Sequence, residues 1–316
     1  MNIWDLIYEP RLRVIVNSDA ACEADDQYAI VHALLSPSLD VRGLIAAHFG
    51  DRKAADSMRQ SRQEIDLLVE LLGKTGSVRV EDGASHMMPD TDTAIDSPGA
   101  RLIITEAMRE GCGPLAIGFQ GPLTDMASAL ILEPRIAERD ITVIWIGGDP
   151  YDGDGKTYSP EYNLSNDVNA ANVVFSSSLT VWQVPMSTYV TMIVSYAELF
   201  ENVRPCGKIG EYLVDHLVEF NRENPTRRGA AECRSLGDSP VVGLMLNPDC
   251  GWWAERPAPG FSASFGYDLT VRHRPIRVYR SIDTRFIIGD FFAKLRAFAQ
   301  LRGALGSASP QVNGLP

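Results

Sequence analysis

The chain has 316 residues, with 29 Lys and Arg against 41 Asp and Glu, a formal net charge of −12, and 45% hydrophobic residues. That apolar fraction supports a sizeable core without disulfides or structural metals, which excludes a disordered chain. The acid surplus excludes a nucleic-acid binder built on a basic face. The charge is uneven, because residues 267–316 hold eight basic and three acidic side chains. That tail reads as a segment packed on acidic neighbours or lying on the surface, and the excess acid belongs to residues 1–266.

In chain order, RVIVN (13–17) predicts a strand and ADDQYAIVHALLS (24–36) a helix. Residues 41–47 predict a second strand and 53–73 a long amphipathic helix ended by Gly73. Strands at 114–119, 141–148 and 179–185 then alternate with helices at 122–132 and 167–177. A helix over 207–224, another after Asp238, an antiparallel pair within 261–281 and a last helix from about 284 to 301 complete the pattern. Repeated βαβ units imply an α/β fold, an open and mostly parallel doubly wound sheet flanked by helices, with a small antiparallel extension near the C-terminus. One domain is expected over 1–303 and a frayed tail over 304–316. The long loops 82–99 and 149–165, rich in Asp, Gly, Pro and Ser, are candidate walls of a site.

Five widely spaced Cys without a CxxC indicate neither a disulfide framework nor a zinc knuckle. The N-terminus carries Asp5 and Glu9 where a signal peptide needs a basic start and an apolar run, so a cytoplasmic protein is expected. Residues 168–197 carry no charge but are interrupted by Asn, Ser, Gln and Pro, which excludes a membrane span.

The acids concentrate after the first strand, where NSDAACEADDQYAI sets Asp19, Glu23, Asp25 and Asp26 within eight residues. Ligands of open parallel sheets bind outside the carboxyl ends of strands, so these acids stand at the expected mouth of a site. Their repulsion is relieved if Asp25 and Asp26 cap the next helix, or if a hard cation with oxygen ligands sits among them. A Rossmann nucleotide site is rejected, since no glycine lies between Val14 and Arg42. A strand-end Asp nucleophile for phosphoryl transfer is disfavoured by Asn17. Farther on, Asp238 in SLGDSPVVGLML opens an apolar helical run, as an N-cap does, and Gly121–Pro122 make a tight turn that frees carbonyls near Gln120.

These segments resemble the nucleoside hydrolases of the inosine-uridine-preferring type, and more closely a divergent nucleoside hydrolase-like branch. The resemblance is carried by VIVNSDAACEADDQYAIVHALL, GLIAAHFGD, IGFQGPLTDMASALILEPRI with VIWIGG, SPEYNLSNDVNAANVVF, LGDSPVV and DTRFIIGDFFAKL, and so spans nearly the whole chain. It implies calcium-dependent hydrolysis of the N-glycosidic bond of a ribonucleoside by a homodimer or homotetramer, with no membrane or nucleic-acid partner. Asp19 would be general base and Ca2+ ligand. Asp26, Asp238 and the backbone carbonyl of Gln120 would be the other ligands. Asp25 would bind the sugar hydroxyls at the metal, Glu161 and Asn163 would hold the far side of the sugar, and Asp51 would stand where an amide contacts it. His48, after the second strand, either lines the pocket or is a satisfied buried histidine.

Four departures from the family pattern stand out. Asp25 and Asp26 come two residues later than in the usual loop; Asn17 replaces the leading Asp; Asp51 replaces an Asn; and Gly237 replaces a His that can protonate a purine leaving group. His86, Tyr158, Trp252, Trp253 and His273 are substitutes for that acid without any motif to anchor them, and each reads more simply as a loop or core residue. Gly237 and Asp51 also feed two alternatives, a calcium-assisted sugar-binding protein or pseudoenzyme and a hydrolase of another glycoside.

Overall fold

A computed structural model describes residues 3–6, 9, 11–151, 160–224 and 232–307. The first half alternates as expected: β1 (Leu12–Ser18), α1 (Asp26–Leu35), β2 (Leu39–Ala46), α2 (Ser57–Leu71), β3 (Val80–Asp82), α3 (Pro98–Ala107), β4 (Leu115–Phe119), α4 (Thr124–Leu132) and β5 (Ile141–Ile146). Then come α5 (Tyr162–Asn166), α6 (Val168–Ser176), β6 (Thr180–Val184), α7 (Met186–Tyr189), β7 (Ile193–Ser195), α8 (Tyr196–Asn202), α9 (Gly207–Glu223), β8 (Cys233–Ser235) and α10 (Ser239–Leu246). The chain closes with β9 (Gly251–Pro257), β10 (Gly260–Phe261), β11 (Tyr267–Asp268), β12 (Pro275–Ile282) and α11 (Thr284–Ser307).

Eight strands form one sheet in the order β3-β2-β1-β4-β5-β6-β12-β9, parallel except for the edge strand β9. Both faces are covered. Val14, Val16 and Ala116 pack towards α1, α10 and α11, whereas Ile15, Ile117 and Phe119 pack towards α3, α4 and α6. Burial on both faces is why the strands read as continuous apolar runs rather than alternating ones. The chain leaves β1 towards β2 on one side, and β4 lies on the other. The connections therefore diverge at the carboxyl ends of β1 and β4, and a crevice opens there.

The structure adjusts three expectations. The segment 261–281 holds the short pair β10–β11, but β12 takes its antiparallel partner from β9, upstream of that window. The last helix extends to Ser307, so residues 304–307 of the expected tail are helical, and residues 308–316 lie outside the described residues. The strands β3, β7 and β8 and the helix α3 are additions that no sequence period announced. Among the described residues, no helix is long and apolar enough to cross a membrane. Two cations of the basic tail are taken up inside the fold: Arg274 donates to the carbonyls of Phe175 and Leu179, and Arg277 stacks between Trp182 and Trp253.

One glycine sets how closely α10 approaches the sheet. A Cβ on Gly118 of β4 would lie 2.2 Å from Val241 Cγ1 and 2.9 Å from Met245 Cε. Its absence lets the N-terminus of α10, with Asp238, reach the end of β4. Gly118→Val is expected to destabilise the fold by roughly 1–3 kcal/mol through overpacking. The check is the urea midpoint, and an unchanged midpoint would show that α10 has slack against β4.

Candidate functional site

Two helices begin at the crevice, and the residues before them decide its chemistry. Asp25 occupies the N-cap of α1 and Asp238 the N-cap of α10, yet neither side chain makes a capping hydrogen bond. Asp25 instead accepts the Gly237 N–H at 2.8 Å, and Asp26 accepts the Ser18 hydroxyl at 2.7 Å. One carboxylate oxygen from each of Asp25, Asp26 and Asp238 falls within 4.8 Å of the others, and all three residues are buried. Helix capping therefore does not account for these acids. Both helix N-termini direct their positive ends at the group, which partly offsets its charge.

Asp19, on the turn leaving β1, lies beside this cluster and is 2% exposed. Its fit is tight, because a Cβ on Gly121 would come 2.7 Å from Asp19 Oδ1. Burial pushes the Asp19 carboxyl up to about 7, and the Lys53 ammonium partly opposes the rise. Burial raises Asp26 and Asp238 well above the ordinary carboxylate range, and repulsion from the neighbouring aspartates adds to it. Asp25 rises for the same first reason, with Arg234 opposing. The two cations named here are otherwise engaged: Lys53 donates to the carbonyl and sulfur of Cys22, and Arg234 pairs with Glu23. An oxygen-only set of crowded, buried carboxylates fits a hard divalent cation.

The opposite wall comes from the start of α5 and the ends of β4 and β5. Glu161 accepts the backbone N–H groups of Gly148, Asn163 and Leu164 at 2.8–3.2 Å and the Tyr189 hydroxyl at 3.1 Å. Asn163 Nδ2 donates to the carbonyls of Gln120 at 2.6 Å and Ile146 at 2.9 Å. These residues enclose a cavity of about 270 Å³ shared with Asp19, Asp25, Asp26 and Asp238. Glu161 and Asn163 are thus at the cavity, but most of their hydrogen-bonding capacity goes into joining the strand ends.

Other expected residues lie elsewhere. Asp51 is exposed in the turn after β2 and does not line the cavity. His48 is buried, bonded through Nε2 to Thr124 Oγ1 at 2.8 Å, and Thr124 donates on to Asp167. Burial lowers its pKa to about 4, which marks a neutral histidine inside the fold. His86, Trp252, Trp253 and His273 are not among the cavity-lining residues, and Tyr158 lies outside the described residues. The charge missing at Asn17 reappears on its partner. Asn17 Nδ2 donates at 2.8 Å to the buried carboxylate of Asp125, which also accepts from Ala84 N and Ser97 Oγ.

The cavity also contains Cys22, Tyr162, Tyr189 and Arg234, which sequence reasoning missed as site residues. A signal existed for Tyr189, since PMSTYVT directly follows the strand 179–185 and so falls at the carboxyl edge of the sheet. None existed for Arg234, which a short antiparallel strand brings in from a distance.

The family model for inosine-uridine preferring nucleoside hydrolases matches residues 14–285. The probable uridine nucleosidase 2 of Oryza sativa subsp. japonica is 24% identical over 257 residues, covering 75% of this chain and 74% of that protein. The pyrimidine-specific ribonucleoside hydrolase RihA of Escherichia coli O7:K1 is 27% identical over 251 residues, covering 73% of this chain and 79% of its own. A purine-preferring ribonucleoside hydrolase from Gardnerella vaginalis shares the fold, with a TM-score of 0.72 at 21% identity over 92% of this chain and 99% of that one.

The raised carboxylates fix the sign of a pH effect. Each binds its proton more tightly folded than unfolded, so its contribution to stability is present below the ordinary carboxylate range and is lost as pH rises through the folded value. In chelator, Asp26→Asn should therefore gain in Tm on the unsubstituted protein as pH rises from about 4 to about 7. A Tm difference that is flat or shrinks across this window would contradict the electrostatic description.

Proposed function

The chain belongs to the inosine-uridine preferring nucleoside hydrolase family and is a glycosidase of that type, and from this premise we propose that it hydrolyses the N-glycosidic bond of a ribonucleoside or related riboside with a bound calcium ion. The observation that carries the reading is the gathering of Asp25, Asp26 and Asp238 within 4.8 Å, unspent on helix caps and beside Asp19. Asp26 and Asp238 would hold the ion together with Asp19 and the carbonyl of Gln120, and the position of Asp25 supports adding it to the ligands. Bound there, the ion would fix the vicinal hydroxyls of the sugar and ease deprotonation of water.

Asp19 would serve as the general base, since it lies on the turn leaving β1 beside the carboxylates that would hold the ion. The water it deprotonates attacks the anomeric carbon while the glycosidic bond breaks, and the sugar passes through a positively charged, oxocarbenium-like state. The carboxylates around it favour that charge. Ile146, Met186 and Val190 supply an apolar part of the lining, which limits water around the reacting centre.

One observation favours a second reading, hydrolysis of another glycoside or sugar binding without turnover. Glu161 already accepts four hydrogen bonds from the protein, which leaves it little capacity for a ribose hydroxyl.

A reducing-sugar assay across purine and pyrimidine ribosides, with calcium present, tests the proposal. Turnover should vanish on chelation and return with calcium. Asp19→Asn should lower kcat by at least about a hundredfold without loss of fold. Inactivity on every riboside would move the reading to sugar binding, and full activity of Asp19→Asn would place the base elsewhere.

A further inference from the structure

A cavity lined by so many carboxylates favours the positive sugar and opposes the other product of bond cleavage. The electrons of a breaking glycosidic bond go to the departing base, and the negative charge that develops there faces Asp19, Asp25, Asp26, Asp238 and Glu161. Some donor has to meet that charge. Among the described residues lining the cavity, most donors are committed to the protein itself; the side-chain amide of Gln120 and Nε of Arg234 have no partner, but both are buried away from the open space. The Tyr162 hydroxyl donates to the Phe49 carbonyl at 2.9 Å, and the Ser235 hydroxyl to the Tyr189 carbonyl at 3.0 Å. Asn163 Nδ2 spans two carbonyls, Arg234 is paired with Glu23, and the Cys22 thiol is turned to Asp19.

Tyr189 differs in its acceptor. Its hydroxyl, free like the others to swing about its own C–O bond, donates at 3.1 Å to a carboxylate oxygen, Glu161 Oε1. The other donors on Glu161 are backbone N–H groups of Gly148, Asn163 and Leu164. Turning the phenol away therefore leaves that carboxylate with three hydrogen bonds. The ring is set across the cavity between two walls. Its Cδ2 lies 3.1 Å from the Cβ that Gly237 lacks, a point itself 3.3 Å from Asp25 Oδ2, while its hydroxyl reaches Glu161 on the far side. A side chain at 237 would displace it. Burial keeps the phenol protonated through the working pH range, which makes it a donor rather than an acid.

We propose that Tyr189 is the leaving-group residue of this site: its hydroxyl turns from Glu161 to an acceptor atom of the departing base and stabilises the charge that develops there. The glycosidic electron pair passes to the base, the phenol keeps its proton, and the base is protonated by water after release. This inference rests on the riboside-hydrolase reading above.

The test compares two kinds of substrate in one variant. Tyr189→Phe should lower kcat/KM on uridine and inosine by roughly ten- to a hundredfold, the range for a hydrogen bond to a charged group. On 4-nitrophenyl β-D-ribofuranoside, whose phenolate leaves without help, the change should stay within about threefold, because the donor is not needed for a good leaving group. Tyr189→His, which retains a ring and an N–H donor, should recover part of the loss on the nucleosides; if Phe does not fold, Tyr189→Leu removes the same donor and should show the same selective loss. Equal losses on both substrates would show a structural role through Glu161 and overturn the assignment, as would no loss on either. Wild-type activity on 4-nitrophenyl riboside tests the parent reading separately; its absence, together with inactivity on nucleosides, overturns both.

Discussion

Mutual repulsion among buried carboxylates is the constraint on which the site depends. Asp19, Asp25, Asp26 and Asp238 are removed from water and brought together, so each ionisation is opposed first by lost hydration, and those of Asp19, Asp26 and Asp238 by neighbouring aspartates as well. Left alone, such a group weakens the fold at neutral pH. Partners within the protein reduce the cost only in part: a serine hydroxyl on Asp26, a backbone N–H on Asp25, and the positive ends of two helices. Retaining that residual destabilisation makes physical sense if the carboxylates serve to hold a cation and a developing positive charge.

The remainder of the fold brings these acids together and keeps other groups out of their way. Divergent connections from β1 and β4 open the crevice, Gly118 admits α10 so that Asp238 can reach it, and Gly121 leaves room for Asp19. On the far side, Glu161 and Asn163 tie α5 to the ends of β4 and β5, which makes that wall rigid. Behind the site, Asp125 draws β1, the loop at Ala84 and the N-cap of α3 together through Asn17, Ala84 and Ser97. The negative charge there is screened from the cavity by its three donors.

Much of this was legible in the sequence because it rests on local pattern. Apolar runs of strand length alternating with helical periods gave the parallel sheet, and the carboxyl-end rule located the acids after β1. The crowding of four acids after β1 was informative as well, since one helix cap uses one or two of them; in the structure the side chain of Asp25 does not cap, and neither does that of Asp238, which the sequence offered as an ordinary N-cap. What escaped depends on long-range contact. Short strands such as β7 and β8 have too few residues to show a period, so Arg234 and its pairing with Glu23 were not foreseeable. The position of Asp51 in a motif did not reveal that its turn faces solvent, and sequence alone cannot show that the hydrogen bonds of Glu161 are already in use.

A divalent cation held by the carboxylate cluster would have to displace protons from it. Calorimetric titration of calcium into chelator-stripped protein at pH 6, repeated in two buffers of different ionisation enthalpy, measures both quantities at once. One ion per chain is expected, with proton release that Asp238→Asn diminishes. Binding without proton release, or no binding at all, would rule out the cation site.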